Sequence, residues 1–316
     1  MFLSKLINRF HLRLVKRRTR PASCSSTGCA RDTNIWQRFF DKKLMVLMHG
    51  CSFCFPECAE RELLRRLKRA PTVSDQRPVN SRRVPLGLLI LSRGEVTAEQ
   101  LRHALELQRR NGTGRIGDWL QQLGYAQGQS VASALASQWS CPSIKTIPAE
   151  ADACTIPFYL MRKFRMAPVH FSSDRRMLHI AFAERIEYQV LFAIEQVLNC
   201  KTEACFATFG EVKAALDRIE EKTPRGEHLF ENVSGPEEIT RIISGYAAAM
   251  HATEIRLACF AELFWARIEG NGLSADLLFL RTGEKSCQFT TERMLEEFPA
   301  GCSRLNRFKG QPHASG

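Results

Sequence analysis

A chain of 316 residues is long enough for two or three domains, since a domain typically holds about 150 residues. Its 44% hydrophobic and 25% charged residues are ordinary for a globular protein. The net charge of +12 resembles that of a nucleic-acid-binding protein, but residues 1–31 hold eight Lys or Arg and no acidic residue. The remainder is not strongly basic, so we expect no nucleic acid partner.

Residues 1–33 are predicted to be a basic leader. Phe2, Leu6 and Phe10 fall on one helical side with basic residues elsewhere, which is typical of an amphipathic helix that contacts a membrane surface. A disordered leader and a mis-assigned start codon fit equally well. The longest strongly apolar window, residues 44–55, is far shorter than a membrane span, so no transmembrane helix is expected.

Residues 34–70 are predicted to be a cysteine-containing helical segment. Cys51, Cys54 and Cys58 lie near His49, and three thiols with an imidazole make a weak zinc candidate. The spacing lacks the second CxxC of a zinc ribbon, and free cysteines often pack as small apolar residues, so we predict no metal. Twelve cysteines scattered along a chain of this length fit a reducing cytoplasm better than a small secreted domain.

After a linker at residues 71–83, residues 84–146 contain the same pattern twice with a period of thirty residues. Each copy reads Leu or Ile, Gly, x2, Ile or Leu, x3, Gly, x6, Leu or Val, x3, Leu, x2, Gln. A match at a fixed period indicates a structural repeat. Each copy predicts a short apolar helix that ends at a glycine, Gly94 or Gly124, followed by a second helix. Thr97 and Gln100 have the spacing of a capping box at the start of one such helix. The unit is therefore a helical hairpin, used twice.

Two features of the repeat suggest a binding site. Gly87 and Gly117 lie in the opening turns of helices, where glycine costs about 1 kcal/mol relative to alanine, so a ligand or a crossing helix must approach closely. Arg115 precedes the second Ile-Gly pair and would place a guanidinium beside exposed backbone N–H groups, which suits an anion or a guanine. A packed repeat without a ligand is the alternative. The overlapping GxGxxG at residues 112–117 is not a dinucleotide fingerprint, because a helix and not a strand precedes it.

The tandem pattern resembles the MshEN-type N-terminal domain of type II secretion and type IV pilus assembly ATPases, a family that binds cyclic di-GMP with these two motifs. The resemblance is strong over residues 84–142, continues more weakly to about residue 219, and comes without the ATPase core. It departs from the family at Pro85, where the first motif should open with arginine. The ligand positions that the resemblance implies are Leu86, Gly87, Ile90, Gly94, Leu101, Leu105 and Gln108 in the first motif, and Arg115, Ile116, Gly117, Leu120, Gly124, Val131, Leu135 and Gln138 in the second.

The rest of the chain predicts an α+β fold. Residues 147–220 alternate helices and strands as a companion subdomain, residues 221–236 form a linker, and residues 285–316 form a tail. Residues 237–284 predict a helix and antiparallel strands, and part of this unit resembles a degenerate middle domain of the same ATPases. No GxxxxGK[ST] phosphate loop occurs in the sequence.

These observations favour a cytoplasmic, non-enzymatic cyclic di-GMP receptor that needs no cofactor and transmits ligand binding to a protein partner of a secretion or pilus system. The first alternative is a nucleotide-independent adaptor that docks on such a machine. The second is a metal-dependent redox or nucleic-acid protein built on the cysteines, which rests on one weak cluster.

Overall fold

The computed structural model describes residues 24–29, 45–69, 83–149, 156–222, 226–260 and 263–280. The predicted tail, and the leader apart from residues 24–29, lie outside this part of the chain. The described residues form helices and two mixed sheets, so the predicted α+β class is confirmed. None of the described helices is long and apolar enough to span a membrane.

The elements are, in chain order, β1 (Met45–Met48), β2 (Cys51–Cys54), α1 (Glu57–Arg69), α2 (Leu86–Ser92), α3 (Ala98–Asn111), α4 (Ile116–Gln122), α5 (Gly128–Trp139), α6 (Phe158–Lys163), β3 (Met166–Ser172), β4 (Met177–Phe182), α7 (Tyr188–Leu198), β5 (Lys201–Phe206), α8 (Phe209–Lys222), β6 (Glu227–Phe230), α9 (Pro236–Ala249), β7 (Ala252–Phe260), β8 (Leu263–Gly270) and β9 (Leu273–Leu280).

The local signals of the tandem hairpins are confirmed. Thr97 and Gln100 form the expected capping box at the start of α3, with the Thr97 Oγ1 accepting from the Gln100 backbone N–H at 3.2 Å and the Gln100 Oε1 accepting from the Thr97 N–H at 2.8 Å. Gly94 and Gly124 adopt φ of 70° and 69° just after α2 and α4, a left-handed conformation that glycine adopts without a Cβ penalty. The sequence therefore determines where these helices end.

The companion subdomain contains a three-stranded sheet in the order β3, β4, β5. β3 and β4 are antiparallel, while β4 and β5 are parallel and are connected by α7. Its core is continuous with that of the hairpins, since buried residues of both belong to one apolar cluster. The bridge from Ser143 to Phe206, with the Ile144 N–H donating to the Phe206 carbonyl at 2.8 Å, ties the end of the hairpin module to β5.

The second sheet corrects the predicted domain boundaries. Its six strands have the order β2, β1, β7, β8, β9, β6. Residues 45–54, placed in a helical segment by the sequence analysis, form the β1–β2 hairpin, and β1 pairs in parallel with β7 of the C-terminal unit. His49 and Gly50 both have positive φ, as the two-residue turn of a hairpin requires. The cysteine-containing segment and the C-terminal unit are therefore parts of one sheet.

The predicted linker at residues 221–236 was also wrong in part. β6 lies within it and pairs in parallel with β9 at the sheet edge, and the Phe230 ring stacks on Phe279 with a centroid distance of 4.9 Å. Only four residues long, the strand has no alternation strong enough to indicate its partner. Its pairing depends on a strand almost fifty residues away.

Both faces of the central strand β8 are buried, and its side chains alternate between two apolar cores. Phe264, Ala266 and Ile268 pack with α1 and α9 on one face, whereas Leu263 and Trp265 join the core of the companion subdomain on the other. A strand with period-two side chains can serve two layers in this way. The companion subdomain therefore packs on the C-terminal sheet directly.

A buried ion pair lies on β8 and β9. The Arg267 side chain, 5% exposed, donates from Nε and Nη2 to the two Asp276 oxygens at 2.8 and 2.6 Å, and the Trp265 Nε1 donates to Asp276 Oδ1 at 2.8 Å. Because the guanidinium is out of water, Asp276 supplies the charge that compensates its lost hydration. The carboxylate also satisfies the buried indole N–H.

We predict that Asp276→Ala lowers the free energy of unfolding by about 3 kcal/mol, the usual cost of leaving a buried charge unpaired. Urea denaturation followed by circular dichroism measures this change. Asp174→Ala, in the exposed β3–β4 turn, is the control and should stay within about 0.5 kcal/mol of the parent. Equal stability of the two variants would contradict the role given to Asp276.

Candidate functional site

The four helices of the tandem module pack across the repeat. α2, the first helix of copy one, lies against α5, the second helix of copy two, and α3 lies against α4 in the same exchanged manner. The first helix of each copy therefore packs against the second helix of the other copy. The repeat in the sequence corresponds to a paired arrangement in space.

Each motif glycine lies where the two helices of its own copy are in contact. A Cβ on Gly87 would stand 2.8 Å from Cδ1 of Leu101, and one on Gly117 would stand 3.0 Å from Cγ1 of Val131 and 3.3 Å from Cδ2 of Leu86. Of the two reasons that the sequence offered for glycine, a ligand or a crossing helix, the crossing explains both positions. The spacing from glycine to its apolar neighbour is the same in both copies.

Each motif glutamine forms a hydrogen bond to the backbone of the other copy. The Gln108 Nε2 donates to the Gly114 carbonyl at 2.9 Å, and the Gln138 Nε2 donates to the Val84 carbonyl at 2.6 Å. Gly114 and Val84 occupy the same place in the two motifs, one residue before the opening position. Each glutamine thus fixes the backbone that leads into the other motif.

The remaining apolar motif positions have different exposures. Ile90 and Leu120 are fully buried, and Leu101, Val131 and Leu135 are nearly so, which gives all five a packing role. Gly94 and Gly124 are exposed in turns. The half-buried members are Leu86, Leu105 and Ile116.

Arg115 is the charged side chain of the second motif and is half exposed. Its guanidinium forms an ion pair with Glu184, which lies after β4 in the companion subdomain and also pairs with Arg165. Burial and the nearby Arg185 lower the pKa of Arg115, while Asp118 and Glu187 oppose the shift, and the side chain stays protonated. Glu184, which lies far from Arg115 in the sequence and belongs to no motif, was not predicted.

A narrow cleft runs beside this ion pair between the tandem module and the companion subdomain. Five predicted ligand positions line it together with Glu184, and these are Leu86, Arg115, Gly117, Val131 and Leu135. Its free volume is about 40 Å³, enough for a few water molecules. A dinucleotide therefore needs an opening of this cleft or a position on its outer surface.

The first copy lacks the charged group, as its sequence indicated. Pro85 precedes α2 without a side-chain cap, whereas the Arg115 N–H donates to the Asp118 carboxylate at 3.3 Å. Arg83 does not replace the missing arginine here, because its guanidinium lies 3.2 Å from the centroid of the Trp139 ring. The two half-sites are unequal in charge.

In the structure, the residues of the weak metal candidate do not all lie together. Cys51 is exposed, and the His49 Nε2 accepts the Leu257 backbone N–H at 3.2 Å, so neither joins the other thiols. Cys54 and Cys58 are buried instead beside cysteines from residues 24–29, and burial raises the pKa of Cys58 to about 11. Cys51 therefore does not lie with Cys54 and Cys58, contrary to the predicted trio.

We predict that Gly117→Ala lowers the free energy of unfolding by about 1 kcal/mol, because Val131, stiff at χ1, must move to admit the methyl group. Gly245→Ala in α9 is the matched control, since its Cβ would meet open space and alanine favours a helix by up to about 1 kcal/mol. Thermal and urea unfolding should give opposite signs. A stabilising Gly117→Ala would refute the close crossing.

Comparisons with known proteins find similarity among solved structures. No family model matches it, and no curated protein matches it. Among solved structures it is similar to "Structure of MshE with cdg", with 27% identity over 43% of this chain and 99% of that one and a TM-score of 0.36. It is also similar to "Structure of the N-terminal domain of XpsE", with 17% identity over 45% of this chain and 96% of that one and a TM-score of 0.34. These scores are too low to support a ligand assignment, which depends on the motif residues.

Proposed function

We propose that the tandem-hairpin module is a receptor for cyclic di-GMP. The observation that carries the proposal is the pairing of the two motifs, in which matching glycines and matching glutamines occupy matching surroundings. A ligand made of two identical halves is suited to a duplicated site. The resemblance of the two motifs to the MshEN pattern supports the same ligand.

In this proposal Arg115 recognises one guanine or phosphate. A guanidinium offers a planar fork of donors that binds the O6/N7 edge of guanine or a phosphate in a bidentate manner. The side chain is half exposed and borders the cleft, so a ligand can reach it. Because Pro85 has no guanidinium, apolar contacts, chiefly with Leu86, would hold the other half of the ligand.

Ligand binding would break the Arg115–Glu184 pair. The Arg115–Glu184 pair, in which the arginine is half exposed, contributes on the order of 1 kcal/mol, whereas one bidentate contact to a base edge contributes roughly 1–3 kcal/mol, so the exchange is favourable. Glu184 belongs to the companion subdomain and remains paired with Arg165. Loss of the bridge would favour a different arrangement of the two parts, which a cytoplasmic partner of a secretion or pilus machine could detect.

We further propose that the chain acts without catalysis. Its sequence has no phosphate-binding loop of the GxxxxGK[ST] type, and the motif residues include no pair of nucleophile and base. A purified sample should therefore hydrolyse no ATP.

A nucleotide-independent adaptor is the second candidate. Three observations favour it. Pro85 stands where the first motif should have an arginine, the space beside the motif glycines is occupied by packed helices, and the cleft has room for only a few water molecules. An adaptor would keep the paired hairpins as a rigid docking module. Titration with the nucleotide separates the two candidates, because only a receptor releases or absorbs heat.

We predict that cyclic di-GMP binds the full chain in isothermal titration calorimetry and that GTP and cyclic di-AMP do not. Arg115→Ala should weaken binding by about 1–3 kcal/mol, the value of one bidentate contact. Arg175→Ala removes the same charge from the exposed β3–β4 turn and should leave affinity unchanged. Unchanged affinity in a folded Arg115→Ala protein would exclude Arg115, and no binding by the parent would favour the adaptor.

We predict that Glu184→Gln tightens cyclic di-GMP binding by up to about fivefold, since it removes a competitor worth about 1 kcal/mol for Arg115. Glu203→Gln, which removes one exposed carboxylate from β5, is the control for the general gain in positive charge. If both variants bind alike, Glu184 does not compete with the ligand.

A further inference from the structure

Four cysteines converge beside the β1–β2 hairpin, at a place that the proposed ligand site does not use. The sulfur atoms of Cys24, Cys29, Cys54 and Cys58 all lie within 4.8 Å of one another. The Sγ atoms of Cys29 and Cys54 are 3.8 Å apart. Three of these four cysteines are buried, so four thiol groups are clustered largely out of contact with solvent.

The separations distinguish a metal site from disulfides. A disulfide needs an S–S bond of about 2.05 Å, well below the spacing of the Cys29 and Cys54 sulfurs. A tetrahedral ion with Zn–S bonds of about 2.3 Å holds its sulfurs about 3.8 Å apart. A cluster of several irons would hold its thiolates farther from one another, so the spacing fits a single ion.

The backbone positions the four ligands from two separate segments. Cys54 ends β2 and Cys58 lies in the first turn of α1, four residues further along the chain. Residues 24–29 dock on the same strand, with the Ser25 N–H donating to the Ser52 carbonyl at 2.8 Å. The Cys54 N–H donates to the Cys24 sulfur at 3.4 Å, a contact that supports a charged sulfur.

We propose that Cys24, Cys29, Cys54 and Cys58 form a structural Zn²⁺ site. Zinc accepts four thiolates in tetrahedral geometry, and a complete set of four protein ligands is typical of structural rather than catalytic zinc. The ligand pattern is C-x4-C followed by C-x3-C. Each thiol gives up its proton when it binds the ion.

The ion would fix the edge of the six-stranded sheet. β2 is the outermost strand on this side, and it is held by β1 and by the helix that follows it. Cys29, Cys54 and Cys58 belong to the apolar cluster that α1 and α9 form against the sheet. A zinc cross-link from residues 24–29 to the β2–α1 junction would therefore stabilise this whole layer.

Zinc content of the full chain, purified under reducing conditions without added metal, tests the proposal. Elemental analysis should find one zinc per chain. Cys24→Ser, Cys29→Ser, Cys54→Ser and Cys58→Ser should each lose most of it. Cys51→Ser is the matched control, because this exposed cysteine lies on the same strand as Cys54, and it should retain the full content.

A second measurement covers variants that fail to fold. Parent protein stripped with a chelator and titrated with Co²⁺ should develop the visible absorption of tetrahedral cobalt thiolate, and Cys51→Ser should do the same. The proposal is overturned if the parent holds no zinc and binds no Co²⁺, if mass spectrometry of the reduced-purified parent finds two disulfides among these cysteines, or if Cys51→Ser loses zinc while Cys24→Ser retains it.

Discussion

The close crossing of helices at Gly117 is the constraint on which the tandem module depends. A side chain at this position would collide with Val131 of α5 and Leu86 of α2, two helices that come from different copies of the repeat. Glycine costs helix stability there, but it allows the core of the module to close. Because Gly87 meets Leu101 in the same way, one packing solution used twice fixes the spacing of the motif.

This constraint changes how the motif residues should be interpreted. Most of them pack helices or hold backbone carbonyls, and a motif of this kind reports the fold before it reports a ligand. Arg115 is different, because its guanidinium is half exposed and its partner is a carboxylate, Glu184, rather than an apolar core side chain. This ion pair contributes little free energy, so Arg115 is the motif residue that can most easily exchange its partner for a ligand. The chemistry of the site is therefore concentrated in one residue and one ion pair.

The helical hairpins could be predicted from local signals in the sequence. The features that could not be predicted depend on pairing between segments that are far apart in the chain. Thr97 and Gln100 begin a helix and Gly94 ends one through contacts within a few residues, so their pattern is readable. β6 pairs with β9, and β1 pairs with β7 across some two hundred residues, without any local mark of the partner. Glu184 likewise reaches Arg115 only through the packing of the subdomains. Burial on both faces further weakens the alternation that identifies a strand.

The cysteines show that an incorrect prediction of secondary structure leads to an incorrect set of candidate ligands. In a helix, Cys51, Cys54 and Cys58 would share a face, since residues three and four apart are neighbours there. In a strand, residues three apart point to opposite faces, so β2 turns Cys51 to solvent and Cys54 to the core. The inward sulfur then meets the thiols of residues 24–29, which lie beyond any short motif. The sequence spacing of candidate ligands can therefore be interpreted only when it is known whether they lie in a helix or in a strand.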